Sequence, residues 1–185
     1  MRRAAFLLLV MAVAALPGHA SAQAAPGPSI EQRVKRAEDV LAIRRVLIDY
    51  AWALDTRDAD AYAALFDRDG EWVNGTMVRK GHEEIRQLVV GLFGTPQPGF
   101  VNRQSLTLTT NIAVDVDGDR AKARSRHLLV RRGPDGRPEP TLAGRYEDEL
   151  IREDGTWKIL RRIDYPVMPT PEEWRAIMRA RNPAQ

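Results

Sequence analysis

Cysteine is absent from the 185-residue chain. That excludes a disulfide scaffold, a thiol nucleophile, a cysteine zinc site and lipid attachment through sulfur. Lysine is scarce: of 28 cationic residues 4 are Lys and 24 are Arg. Neither sign of charge dominates, with 28 Lys plus Arg against 25 Asp plus Glu and a net charge of +3. The two signs are interspersed, which is no electrostatic footprint for nucleic acid. Histidine is sparse as well, at 3 residues, and no metal-ligand spacing is present. Phosphate loops, dinucleotide fingerprints and a Gly-x-Ser-x-Gly nucleophile elbow are missing. With 44% hydrophobic and 29% charged residues, the chain is long enough for one domain with a real core, and its composition excludes wholesale disorder.

The N-terminus reads as an address. Met1–Arg3 is basic, Ala4–Leu16 is a 13-residue apolar run, and Ala20-Ser21-Ala22 offers small residues at a cleavage site. The run is too short to span a bilayer as a helix. A secretory signal peptide over residues 1–22 is expected, with the mature chain starting at Gln23 in the periplasm or outside the cell and holding no membrane contact. Removing Arg2 and Arg3 leaves 26 positive against 25 negative charges, or +1. Residues 23–29 read as a flexible Ala/Pro/Gly linker.

Beyond the linker, apolar residues recur at helical spacing from Ile30 to Asp55. A second helix is predicted from the N-cap Asp58 through Tyr62, Leu65 and Phe66, then a turn at Asp69-Gly70 and a strand from Glu71. A third helix opens at Gly81. The second half reads as four strands, over residues 102–116, 120–132, 141–152 and 156–165, joined by Asp-Gly and Gly-Pro turn chemistry. After Pro166 a tail with a short helix from Pro171 is expected. Helices first and a meander afterwards predict an α+β fold with helices on one face of a curved sheet.

Several runs in this order carry a resemblance: Tyr50-Ala-Trp-Ala-Leu-Asp55, Asp58-Ala-Asp-Ala-Tyr62, Gly81-His-Glu-Glu-Ile85, Val116-Asp-Gly-Asp119, Gly144-Arg-Tyr-Glu-Asp148 and Gly155-Thr-Trp-Lys-Ile159. Together they resemble the SnoaL-like family of the nuclear transport factor 2-like superfamily, related to scytalone dehydratase-like and polyketide cyclase-like proteins. The resemblance implies a cone-shaped barrel: a strongly curved, mainly antiparallel sheet wrapped around a long N-terminal helix, with two or three further helices and an apolar pocket inside. It implies a homodimer or homotrimer. It does not imply one activity, because the fold hosts many.

Three residues are candidates for chemistry. On an ideal helix Asp55 lies at the edge of the apolar sector of the first helix, where it is either a pocket acid or a helix-end cap. In related dehydratases a pocket Asp stands here, some with a Tyr five residues earlier, which is Tyr50. By the same count Tyr50 lies about 140° from Asp55, so both reach one pocket only if the helix end unwinds or the pocket wraps it. In the strand 120–132, Ala121, Ala123, Ser125, His127 and Leu129 alternate with Lys122, Arg124 and Arg126. The small residues and His127 therefore face inward, where His127 is either a satisfied core residue or a proton carrier. The family often has a His on the preceding strand; here Ser105–Asn111 holds none.

Trp52, Trp72, Ser125 and Tyr146 are the expected substrate-binding wall. Tyr146 and Asp148 read as pocket lining or as a core Tyr and a rim ion pair, and Arg161-Arg162 as a solvated pair. His82 is expected to be an exposed residue at a helix start. The expected function is an exported, cofactor-independent lyase or isomerase using Asp55, His127 and Tyr50 on a small, mostly apolar, oxygenated molecule. A non-catalytic binding protein with the same pocket is the alternative.

Overall fold

A computed structural model describes residues 27–181; the expected signal peptide at 1–22 lies outside the described residues. Ser29 starts the first helix, α1 (Ile30–Thr56), through a capping box: its hydroxyl accepts from the Gln32 N–H, and the Gln32 side chain accepts from the Ser29 N–H. One stripe of α1 is buried, with Ile43 and Leu47 at 0% and Tyr50 at 2% exposure. Asp39 shares that stripe near its start. Its carboxylate is bound by Arg152 at 2.6 Å and by the Trp157 indole N–H at 3.3 Å. The Arg152 hydrogen bond holds the Asp39 carboxyl below the usual range.

Asp58 caps α2 (Ala59–Ala64), its side chain accepting from the Ala61 N–H. This helix stops short of the expected Phe66, which instead opens β1 (Phe66–Asn74). Phe66 is fully buried and pairs with Ile159, so a strand wins over another helical turn. Asp69-Gly70 is not a free turn but an irregularity inside β1, where the register jumps from Phe66 to Glu71. A side chain at Gly70 would meet the carbonyl oxygens of Asp67 and Ile159 at 2.9 Å, so glycine is needed for the close approach. β2 (Met77–Lys80) leads into α3 (Gly81–Phe93).

β3 (Ser105–Asp117), β4 (Arg120–Arg132), β5 (Pro138–Glu153) and β6 (Thr156–Met168) form the expected meander, and α4 (Pro171–Arg181) follows. β6 passes through Pro166 rather than ending before it. Its pairing with β1 stops at Asp164, so Pro166 sits where one side of the strand is open and a missing N–H is tolerated. The sheet order is β2-β1-β6-β5-β4-β3, antiparallel except for the parallel β1–β6 pair. α1 packs across it against β3 and β6, and α2 and α3 pack on each other and on β1. The α+β architecture and the long helix on a mixed, mainly antiparallel sheet are as the sequence predicts, with three further helices.

Candidate active site

The inner face of the sheet is set by alternation interrupted at bulges. On β4, Ala121, Ala123, Ser125 and His127 are all buried. On β5, Tyr146, Asp148 and Leu150 are buried opposite them. On β6, Trp157 and Ile159 point inward, and strict alternation would continue with Arg161. The register instead shifts between Glu149 and Leu150, leaving Leu160 as the extra residue. The phase flips, and Arg162 and Asp164 turn inward.

Arg162 is fully buried and forms a two-pronged ion pair with fully buried Asp148, at 2.6 and 3.0 Å. Its guanidinium lies over the Tyr50 ring at 3.8 Å and the Tyr146 ring at 4.3 Å. Burial alone would depress this guanidinium, but Asp148 and the two phenols outweigh that and hold it charged. The expected rim ion pair of Asp148 is thus a core pair, and Arg162 is no solvated surface residue.

Above this layer lies a cavity of about 230 Å³. It is small beside the ~300–1,000 Å³ of common ligand pockets, which suits a small molecule. Its apolar wall comes from Leu54 of α1, Leu88, Val89, Leu92 and Phe93 of α3, and Leu129 and Leu142 of the sheet, with Trp174 from α4. Its polar groups are Tyr50, Asp55, Tyr62, His127, Tyr146 and Asp164, with Trp72, Ser105, Thr107 and Arg131 also in the lining.

The structure brings Asp55, Tyr50 and His127 to this one cavity. α1 stays helical through Thr56, so the cavity wraps the helix end rather than the helix unwinding. The Asp55 carboxylate accepts the Thr107 N–H at 3.0 Å. Its burial raises the carboxyl pKa, and the Thr107 hydrogen bonds offset this only in part. Thr107 is paired with Leu129, and His127 is the diagonal neighbour on β4.

His127 Nε2 lies 3.0 Å from Asp164 Oδ1. A carboxylate oxygen accepts, so Nε2 donates. Asp164 Oδ2 accepts from Asn74 Nδ2 at 3.1 Å, which fixes the carboxylate in turn. The imidazole stacks on Tyr146, with centroids 4.3 Å apart and planes 18° apart. Gly144 lies opposite His127 on β5, and a side chain there would collide with the His127 ring.

Tyr50 is buried with its hydroxyl in a polar knot. The Trp72 indole N–H donates to it at 3.0 Å, and Tyr62 lies at 2.5 Å. Burial raises the pKa values of Tyr50, Tyr62 and Tyr146, so all three are neutral donors near pH 7.

Of the expected wall, Trp72 and Tyr146 line the cavity. Trp52 does not: it is 64% exposed on the outer side of α1, because Leu54 and Asp55 take the two inward positions of that turn. Ser125 is buried on the inner face but below the cavity, and its hydroxyl has no partner among the described residues. The space that Ala121 and Ala123 leave on β4 is filled by the core; the cavity starts only at His127. His82 is exposed as expected, with Nε2 2.9 Å from the Phe66 carbonyl oxygen. Asp164, Asn74, Tyr62 and Thr107 were not evident from sequence. The β6 bulge hides Asp164, and Tyr62 carried only a generic helical spacing. Among the described residues no group of three or more His, Asp or Glu side chains is placed to hold a metal.

Solved structures with this fold come from several functional descriptions. A candidate aromatic ring hydroxylase from Novosphingobium aromaticivorans DSM shares 32% identity over 72% of this chain and 92% of that one, at a TM-score of 0.60. A candidate scytalone dehydratase from Novosphingobium aromaticivorans DSM 12444 shares 29% identity over 74% and 89%, at 0.61. An NTF2-like protein with a cystatin-like fold from Novosphingobium aromaticivorans shares 22% over 79% and 93%, at 0.67. No curated protein matches the chain. The model of the SnoaL-like domain matches residues 35–163, the span that runs from α1 through the core of β6. The chain belongs to the SnoaL-like domain family.

Proposed function

We propose that this protein is a cofactor-independent lyase or isomerase that moves protons on a small, mostly apolar, oxygenated molecule. One observation carries the reading: Asp55, with its carboxyl pKa raised by burial, and the Asp164-held His127 line the same small cavity. Asp55 is suited to take a proton from carbon, since a raised pKa brings a carboxylate nearer to neutrality as a base. The neutral Tyr50–Tyr62 pair offers an O–H to the oxygen that gains charge as the proton leaves. His127 supplies or removes the second proton. In a dehydration the C–H electron pair forms the new double bond, the C–O bond breaks, and the departing hydroxide takes a proton to leave as water.

The candidate scytalone dehydratase among the structural neighbours supports a lyase reading. The Ser105–Asn111 stretch holds no His, which favours a second reading, a binding protein that uses the same cavity without turnover. The basic, apolar and small-residue succession at residues 1–22 supports export to the periplasm. Intact mass of exported protein beginning at Gln23 is the expected result, and full-length protein retained in the cytosol would refute export. Activity is tested by incubating the protein with a panel of small aromatic and polyketide-like β-hydroxy ketones and following loss of water by mass spectrometry. Turnover that disappears in both Asp55→Asn and His127→Gln is expected. Tight binding without turnover across the panel would favour the binding protein.

A further inference from the structure

β4 carries the cationic side chains Arg120, Lys122, Arg124, Arg126, Arg131 and Arg132. All but Arg131 have the outward phase of the strand. Arg131 has the phase of Ser125, His127 and Leu129, which faces inward. Among the described residues it is the only Arg or Lys that lines the cavity.

The position has a ready partner that it does not use. Arg131 is registered with Glu139 on β5, a pairing at which opposite charges stabilise a sheet. Glu139 instead folds over the β4–β5 connection, where a side chain at Gly133 would collide with its carboxylate. Among the described residues no carboxylate lies within ion-pair distance of the Arg131 guanidinium. Asp55 is no substitute. It is bound to the Thr107 N–H, and Thr107 lies one inward position deeper on β3 than Ser105, the partner of Arg131.

The two ends of the cavity differ accordingly. Core side chains fill the space over Ala121 and Ala123, and the cavity starts at His127. Arg131 is exposed and marks its outer end. Four residues of extended strand put about 13 Å between the His127 and Arg131 Cα atoms. A guanidinium does not titrate near neutral pH, so the opening carries a fixed positive charge. Its planar fork matches a carboxylate, which it takes with two parallel N–H···O bonds.

We propose that Arg131 anchors a carboxylate of the ligand, so that the molecule taken into this cavity is a small apolar acid bound with its carboxylate outward. This deepens the function proposed above and rests on the same cavity being the ligand site. The anchored carboxylate is not the reacting group. A second oxygen, on the inner part of the molecule, meets the Tyr50–Tyr62 hydroxyls near Asp55 and His127. A carboxylate rather than a phosphate fits because the lining offers one guanidinium and no second Arg or Lys.

Isothermal titration calorimetry with benzoate, phenylacetate and cyclohexanecarboxylate, each against its primary amide, reads the charge preference. Each acid is expected to bind about 10-fold or more tightly than its amide, the scale of a hydrogen bond to a charged group. Arg131→Gln is expected to remove that preference and leave the amides unchanged. Arg131→Lys keeps the charge without the fork and is expected to fall between. Arg132→Gln, one residue on and facing outward, is expected to change nothing. Added salt should weaken the acids and spare the amides. The proposal is overturned if no acid of the panel binds, if acids bind no better than amides, or if the preference survives Arg131→Gln. Equal loss in Arg132→Gln, or phenyl phosphate bound more tightly than benzoate, would also overturn it. Failure of the lyase reading shows separately: acids held through Arg131 without turnover leave the anchor standing. Turnover of neutral β-hydroxy ketones with kcat/KM unchanged in Arg131→Gln, and no acid preferred, removes the anchor and leaves the lyase.

Discussion

Asp148→Asn should be the most damaging conservative substitution in the molecule. The carboxylate is fully buried and binds fully buried Arg162 at 2.6 and 3.0 Å. An amide keeps the shape but removes the charge and one acceptor, leaving a guanidinium uncompensated in the core. Breaking a buried pair in this way costs about 3–5 kcal/mol. The Tyr50 and Tyr146 rings, at 3.8 and 4.3 Å from the guanidinium, still stabilise the cation and place the loss toward the lower figure. Arg162 Nη1, which already lacks a partner among the described residues, can recover nothing from the protein. A domain of this size loses roughly 2–4 °C in Tm per kcal/mol, so Asp148→Asn should melt about 6–20 °C below the wild type. Differential scanning calorimetry at pH 7 measures this. The paired replacement Arg162→Met with Asp148→Leu removes both charges and should melt within a few degrees of the wild type. An Asp148→Asn variant within about 3 °C of the wild type would show that water or relaxation compensates the guanidinium, and would refute the reading of a dry, obligate pair.

Asp55→Asn should keep the fold and remove lyase or isomerase activity about 100-fold or more. The pKa of Asp55 is raised in the fold, so its contribution to stability is present below the unfolded value of ~3.9 and lost as pH rises through the folded value. The Asn variant lacks that loss, and its Tm relative to wild type should climb between pH 3 and pH 7; a flat difference would contradict a raised pKa. His127→Gln should lower turnover about 100-fold with little change in ligand affinity, and a fall in Tm with unchanged turnover would retire His127 as a proton carrier. Gly144→Ala places a methyl group into the His127 ring and 2.6 Å from the Tyr165 carbonyl oxygen. It should lower both Tm and turnover, and a crystal structure of the variant with the His127–Asp164 bond intact would refute the role given to Gly144.

The helices and strands were legible because their signals are local. Asp58 caps where the sequence predicts, and the β4 alternation of Ala121, Ala123, Ser125 and His127 against Lys122, Arg124 and Arg126 survives in the burial of each residue. Errors appear where a partner strand decides. Phe66 left its helix because Ile159 offered a strand, and Asp69-Gly70 was absorbed into β1 for the same reason. Trp52 was misplaced because a wide apolar sector on a helix does not say which edge faces the core.

The site shows the same division more sharply. Asp55, Tyr50 and His127 could be named because two lie on one helix end and one on a regularly alternating strand, and because the family resemblance gave those positions a role. Their supports, Asp164 for His127 and Arg162 beneath Tyr50, lie past the Leu160 bulge on β6. A bulge adds one residue and reverses every side chain after it, so counting from Trp157 sends Asp164 to solvent. Only the pairing of β6 with both β5 and β1 reveals the reversal, since Asp164 is registered with Tyr146 on one side and Asn74 on the other. That double pairing is what holds the carboxylate in place for His127. Had β6 been regular, Arg161 and Ile163 would face the cavity and His127 would have no acid to orient it. The bulge that conceals the dyad from the sequence is therefore the feature that assembles it.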